Sequence, residues 1–287
     1  MSRALLTPQP SPLEIGPAEL AVLRRRERRS AMDFSMDRFA SAAALIAAVS
    51  IASPAVAPAQ APGTPSAAES CLAANRNISL GSRLPRTATR LKAGGPLKIV
   101  AVGSSSTTGL WMLTAAATYP EVLRRELGRL QPNTQVAVVN AGRVGDTIPG
   151  SLARLDRDVV AAEPDLVVWQ LGTNDVTWGG GTDGLKEQII LGVRRLKAAG
   201  ADVVLMDLQY APVARASSHY AAMLAIIAEA ARQERIGLFS RSGLMQRSID
   251  AGLPAGALVS WDGLHNSSDG YDCMGRALAR AIHAAAR

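Results

Sequence analysis

Aromatic side chains make up only 4% of this 287-residue sequence and charged ones 19%, and it holds two cysteines and three histidines. So few aromatics leave little surface on which nucleic-acid bases could stack. Two cysteines cannot staple a small scaffold, and without a C-x-x-C pair there is no thiolate cluster for zinc, so the fold must rest on apolar packing. No metal is expected. A stripe of one charge is lacking too: the formal charge is +7, but bases mostly alternate with acids along the helical segments, which argues against a nucleic-acid partner. What the chain does have is apolar mass. Hydrophobic residues reach 48%, which excludes disorder for most of it, over a length suited to one large or two small domains.

The first sixty residues read as separate from the fold. Phe39 to Ala52 is an unbroken run of apolar and small residues, preceded by Arg38 and by the basic run Arg24 to Arg29. A basic segment followed by a short apolar one is a secretory signal pattern. At fourteen residues the run falls short of the ~20 that a spanning helix needs, so no permanent membrane anchor is expected. Ala57-Pro58-Ala59 supplies the cleavage point, after Ala59. The residues ahead of Met32 or Met36 are unusual for a signal and fit a misassigned start codon; the alternative is an ordered helix from Pro17 to Met32. Residues 1–59 are thus expected to be removed, and 60–95, where Gln60 to Ser70 is rich in Ala, Pro, Gly and Ser, to form a flexible leader. The folded domain is expected over 96–287.

From Leu97 onward, short β-rich apolar runs alternate with longer helical patterns. The strand candidates are Leu97 to Val102, Val136 to Asn140, Leu166 to Leu171, Asp202 to Leu208 and Ile236 to Ser240. Helical patterns cover Tyr119 to Leu130, Gly150 to Ala162, Thr182 to Ala199, Ser217 to Gln233 and Asp269 to Ala285. This alternation predicts an α/β fold: a five-stranded parallel sheet covered on both faces by right-handed crossovers, a flavodoxin-like three-layer α/β/α arrangement. In such sheets ligands sit outside the carboxyl ends of the strands, and chemistry is to be sought there.

The first strand end carries Gly103-Ser104-Ser105-Ser106-Thr107-Thr108-Gly109, which has neither the lysine of a P-loop nor G-x-G-x-x-G spacing. It is not a G-x-S-x-G elbow, because Thr107 stands where the last glycine should. After the second strand comes Asn140-Ala141-Gly142-Arg143-Val144-Gly145-Asp146, after the third Gly172-Thr173-Asn174-Asp175, and beyond the fifth Trp261-Asp262-Gly263-Leu264-His265. Each block alone could be a cap or a turn. Together they place a serine, a backbone-exposing glycine, an amide and an Asp-x-x-His on one sheet edge, the parts of serine acyl transfer. A serine hydroxyl attacks only when a base takes its proton, and His265 is the histidine in a strand-end loop; His219 and His283 fall in helical patterns. Asp262 can hold the imidazole tautomer, while the N–H groups of Ser105 and Gly145 and the amide of Asn174 can face an oxyanion.

These four blocks resemble the GDSL, or SGNH, hydrolase family, which carries Ser, Gly, Asn and His in this order, and the match runs from about Ile99 to Met274. The resemblance puts the nucleophile on Ser105, the block glycine on Gly145, the asparagine on Asn174 and the D-x-x-H on Asp262 and His265. Two departures are Ser104, where the family name records Asp, and Asn266, where Pro often follows the histidine. The resemblance implies hydrolysis of carboxylic esters or thioesters with no metal or organic cofactor, on substrates from lysolipids to acetylated sugars. Trp111, Trp178 and Trp261 lie in loops beside the blocks and could rim a sugar or acyl site, or simply pack loops. Export favours a small-molecule or polysaccharide ester, with a short-acyl carbohydrate esterase first and a lysophospholipase or thioesterase second. A non-catalytic sugar-binding relative would have lost one of the set. In an exported, monomeric protein Cys71 and Cys273 are expected to pair, although the sequence leaves open two unrelated buried thiols.

Overall fold

The computed structural model describes residues 64–178 and 180–287; the extension, apolar run and cleavage point read within 1–59 lie outside the described residues. Five strands, β1 (Leu97–Gly103), β2 (Val136–Gly142), β3 (Leu166–Gln170), β4 (Asp202–Met206) and β5 (Gly237–Phe239), form one parallel sheet in the order β2-β1-β3-β4-β5. Between them run α3 (Ser105–Thr108), α4 (Tyr119–Leu130), α5 (Ile148–Asp158), α6 (Thr173–Thr177), α7 (Leu185–Ala198), α8 (Pro212–Arg215) and α9 (Tyr220–Glu234). Helices α10 (Arg241–Asp250) and α11 (Ser268–Ala285) follow β5. The expected α/β architecture with its five-stranded parallel sheet is what forms.

Strand periodicity divides the core in two. Leu97, Ile99 and Ala101 of β1 turn to one face, against Tyr119, Leu123 and Leu127 of α4 and Leu278 and Ile282 of α11. Val100 and Val102 turn to the other, against Ile148 and Leu155 of α5, Ile189 and Val193 of α7 and Ile227 of α9. Buried on both faces, β1 and β3 read as continuous apolar runs. β2 lies at the edge and alternates with exposed positions such as Val139.

The helix after β1 covers one face and the helices after β2 and β3 cover the other. Successive connections therefore leave β1 and β3 in opposite directions, and a crevice opens between their carboxyl ends, as expected at a topological switch point.

The flexible leader expected over 60–95 needs correcting. Two helices stand there, α1 (Ala67–Ala74) and α2 (Pro85–Ala93). The Ser66 hydroxyl accepts from the Glu69 N–H at 3.1 Å while the Glu69 carboxylate accepts from the Ser66 N–H at 3.0 Å, a capping box that starts α1. Cys71 and Leu72 then bury against the α4–α11 core, and Cys71 is disulfide-bonded to Cys273 of α11. α2 is held through Arg86 and Arg90, both on Asp165, and through Asp202, which accepts from the Thr87 N–H and hydroxyl. Small, alanine-rich composition suits a helix as readily as a linker, which is why composition misled here. Among the described residues no helix is long and apolar enough to cross a membrane.

Candidate active site

The turn after β1 is built by close packing. A side chain on Gly103, whose φ is +158°, would meet Thr107 Oγ1 at 2.5 Å and Gln170 at 2.8 Å, so only glycine lets the chain fold back into α3 here. Gln170 of β3 takes three donors on its Oε1: the Ser104 N–H, the Ser104 hydroxyl and the Thr107 hydroxyl. Ser104, standing where the Asp of a GDSL block would be, is thus a buried brace. Ser105 occupies the first position of α3, where a backbone N–H has no intrahelical acceptor and remains available.

The Ser105 hydroxyl lies 2.8 Å from Nε2 of His265, and Nδ1 of His265 lies 2.5 Å from Oδ2 of Asp262. A carboxylate cannot donate, so the proton of the neutral ring sits on Nδ1 and the Nε2 lone pair faces Ser105. Asp262 also accepts the Leu264 and His265 N–H groups, each at 3.0 Å on Oδ1, and the Trp111 indole N–H at 2.8 Å on Oδ2. Burial pushes its carboxyl up, but these hydrogen bonds, led by His265, outweigh burial and bring it down to about 2. The loop is therefore charged wherever the protein is folded near neutrality.

The block after β2 ends in a turn closed by the Asp146 N–H on the Arg143 carbonyl, with Gly145 at φ +77°, the left-handed conformation that glycine adopts without strain. Arg154 of α5 fixes that turn from beneath. Its guanidinium bonds Asp146 Oδ2 at 2.5 Å, the Ala141 carbonyl at 2.8 Å and the Gly103 carbonyl at 3.2 Å, tying the end of β1 to the Gly145 turn. Asn174 enters from α6. One amide hydrogen goes to the Asp146 carbonyl at 2.8 Å and the amide oxygen accepts the Trp178 indole N–H at 3.2 Å, which fixes the amide orientation and leaves the second hydrogen free to donate. Asp175 beside it accepts the Ile148 N–H, and burial raises its carboxyl.

Ser105, His265 and Asp262 thus form one hydrogen-bonded chain, with the Gly145 turn and Asn174 joined through Asp146. Trp111 and Trp261 pack beside it, ring centroids 5.2 Å apart and planes tilted by 53°. Trp178 is apart from that pair, bonded to Asn174 and lining a hollow of about 600 Å³ with Val176, Val213 and His219, while Trp261 also faces one of about 340 Å³ with Tyr210 and Val259. His219 precedes α9 and makes no capping bond with its side chain, and His283 bonds Gln131; both lie outside the chain. Three contributors carried no sequence signal: Arg154, the indole contact of Trp111, and Gln209. Gln209 links α6 to the histidine loop, accepting from Thr173 and donating to the Leu264 carbonyl at 3.1 Å.

Residues 70–287 match the model of the non-GDSL lipase-like family. The chain belongs to that family. Its name suits Gly103-Ser104-Ser105-Ser106 in place of the Gly-Asp-Ser-Leu block, and the likeness to GDSL/SGNH hydrolases holds at the level of family and fold. An arylesterase of Vibrio mimicus is 30% identical over 115 residues, 40% of this chain and 56% of that protein. A two-domain esterase active on acetylated mannans, co-crystallised with mannopentaose, superposes with a TM-score of 0.61 at 20% identity, covering 72% of this chain and 55% of that one. The acetylxylan esterase Axe2 of Geobacillus stearothermophilus superposes with a TM-score of 0.55 at 22% identity, over 65% of this chain and 94% of that one. The chain thus spans about half the length of the first two relatives; the two structures share its fold.

Proposed function

We propose that this chain is a serine-dependent carboxylic ester hydrolase whose substrates are short-acyl, foremost acetyl, esters of carbohydrate outside the cytoplasm. The observation that carries the reading is the unbroken Ser105 Oγ–His265 Nε2 and Nδ1–Asp262 chain in the crevice. Ser105 Oγ attacks the ester carbonyl carbon as its proton passes to Nε2. The carbonyl π electrons move onto oxygen, and that oxyanion is met by the N–H groups of Ser105 and Gly145 and by Asn174 Nδ2. Collapse expels the alcohol, which takes the proton from Nε2, and leaves an acyl-Ser105. Water, deprotonated by Nε2, then attacks the acyl carbon, releases the acid and returns the proton to Ser105.

Support for sugar comes from the Trp111–Trp261 pair, half-exposed and exposed beside His265, which suits stacking on a pyranose. The folds of esterases acting on acetylated mannan and xylan are alike. Export is supported by the apolar run at 39–52 and by a Cys71–Cys273 bridge, the chemistry of an oxidising compartment. Purified protein should release acetate from acetylated mannan or xylan and should cleave p-nitrophenyl acetate faster than the decanoate. Faster cleavage of long-chain esters with no acetate released from polysaccharide would transfer the assignment to lipid esters.

A further inference from the structure

The nucleophile and the acid–base loop come from opposite ends of the domain, yet Trp111, carried on the turn that follows Ser105, reaches the loop. It is carried on a turn, closed by the Met112 N–H on the Gly109 carbonyl, that hangs from Ser105 itself: the Ser105 carbonyl accepts the Gly109 N–H at 3.1 Å and the Leu110 N–H at 3.0 Å. From that turn the indole reaches across 151 residues of sequence to donate to Asp262 Oδ2 at 2.8 Å, the same oxygen that holds His265 Nδ1. Its ring stands edge-on to the imidazole, centroids 6.4 Å apart. Trp111 also sits at φ +72°, a left-handed conformation that a bulky residue adopts only when its surroundings impose it. A rim residue that served only for stacking would need neither the strained backbone nor the shared carboxylate oxygen.

We propose that Trp111 is a positioning residue that locks the carboxylate of Asp262 to the turn bearing Ser105, and so sets the reach of His265 Nε2 to the nucleophile. This rests on the serine-hydrolase reading above. The indole N–H also draws part of the carboxylate charge away from the imidazole; among the described contacts Asp262 is the charged group bonded to His265, with Ser105 on its other face. Removing the N–H therefore returns charge to Asp262 and stabilises the imidazolium.

Trp111→Phe keeps a ring and deletes the donor. It should lower kcat on p-nitrophenyl acetate on the order of ten-fold with KM little changed, the loss of one charge-assisted hydrogen bond, and should move the acid limb of kcat/KM to higher pH. The chain holds three histidines, so proton NMR can follow each imidazole: His265 should titrate at higher pH in the variant, with His219 and His283 unmoved, which also reports that the fold is intact. Trp261→Phe, which alters the ring pair without touching Asp262, should leave the His265 titration in place. An unmoved His265 titration with only KM raised in Trp111→Phe would overturn the proposal and make Trp111 a substrate rim. A shifted His265 titration in a protein with no esterase turnover would uphold the positioning contact and overturn the hydrolase reading instead.

Discussion

Asp262 takes four hydrogen bonds on two oxygens, and the division between them predicts what an isosteric change does. In Asp262→Asn the amide oxygen can still accept the Leu264 and His265 N–H groups, but the NH2 then faces two donors, the Trp111 indole and His265 Nδ1. The imidazole is driven to the wrong tautomer, and kcat should fall by up to ~10⁴-fold near neutrality. A variant that kept full kcat would separate Asp262 from catalysis. Because the Asp262 carboxyl is held at about 2, the acid limb of the wild type should follow one ionisation, that of the imidazole. The same depression makes a stability statement. A carboxyl lower in the folded than in the unfolded chain stabilises above its unfolded value, near ~3.9, and that contribution is lost as pH falls towards the folded one. Urea midpoints of wild type and Asp262→Asn should therefore differ at pH 6 and converge as pH falls from about 4 towards 2; a gap that persisted at pH 2 would contradict this. In the proposed mechanism the free amide hydrogen of Asn174 serves the oxyanion, so Asn174→Ala should lower kcat by ~10²–10³ with less effect on KM; a change confined to KM would make it a substrate contact.

At the scale of elements, Arg154 is the part most exposed to a test. It lies on α5, is buried with Asp146, and joins the Gly103 and Ala141 carbonyls at the ends of β1 and β2 to the Gly145 turn through the Asp146 carboxylate. Removing one partner of a buried pair leaves the other charge uncompensated, so Arg154→Ala should cost ~3–5 kcal/mol in chemical denaturation. A loss under ~1 kcal/mol would mean that Asp146 finds solvent easily. The elements differ in how far the sequence foretells them. Runs such as Leu166–Gln170 and Asp202–Met206 are apolar on both faces and bounded by turn residues, so their strands are legible, and Tyr119–Leu130 is read to its ends from its periodicity. The polar α10 has no strong apolar stripe, and Ser240, which caps it by accepting the Gly243 N–H, looks like the end of a strand. Ser66 and Glu69 did announce α1, but a capping box inside an Ala, Pro and Ser-rich stretch is hidden by its surroundings. The residues of the four blocks stand out because chemistry restricts their types and spacing. Arg154, Gln209 and the indole of Trp111 act through partners up to 151 positions away, and no local pattern records that.

At the scale of the whole domain described, Cys71–Cys273 spans 202 positions and clamps α1 onto α11. In the chain-entropy model a loop of that length restricts the unfolded ensemble by up to ~5 kcal/mol. Cys71→Ser with Cys273→Ser should lower stability by several kcal/mol in that model while leaving kcat near wild type below the melting range, since neither cysteine belongs to the Ser105–His265–Asp262 chain. Equal urea midpoints with and without the bridge would refute that role. The claim on which the rest depends is that Ser105 becomes acylated. The direct measurement is rapid-quench mass spectrometry of the protein turning over p-nitrophenyl acetate, with the acetyl group located by peptide sequencing. One acetyl group per chain on Ser105, absent together with turnover in Ser105→Ala, is the predicted result; acetyl on Ser104 or Ser106, or turnover undiminished in Ser105→Ala, would contradict it.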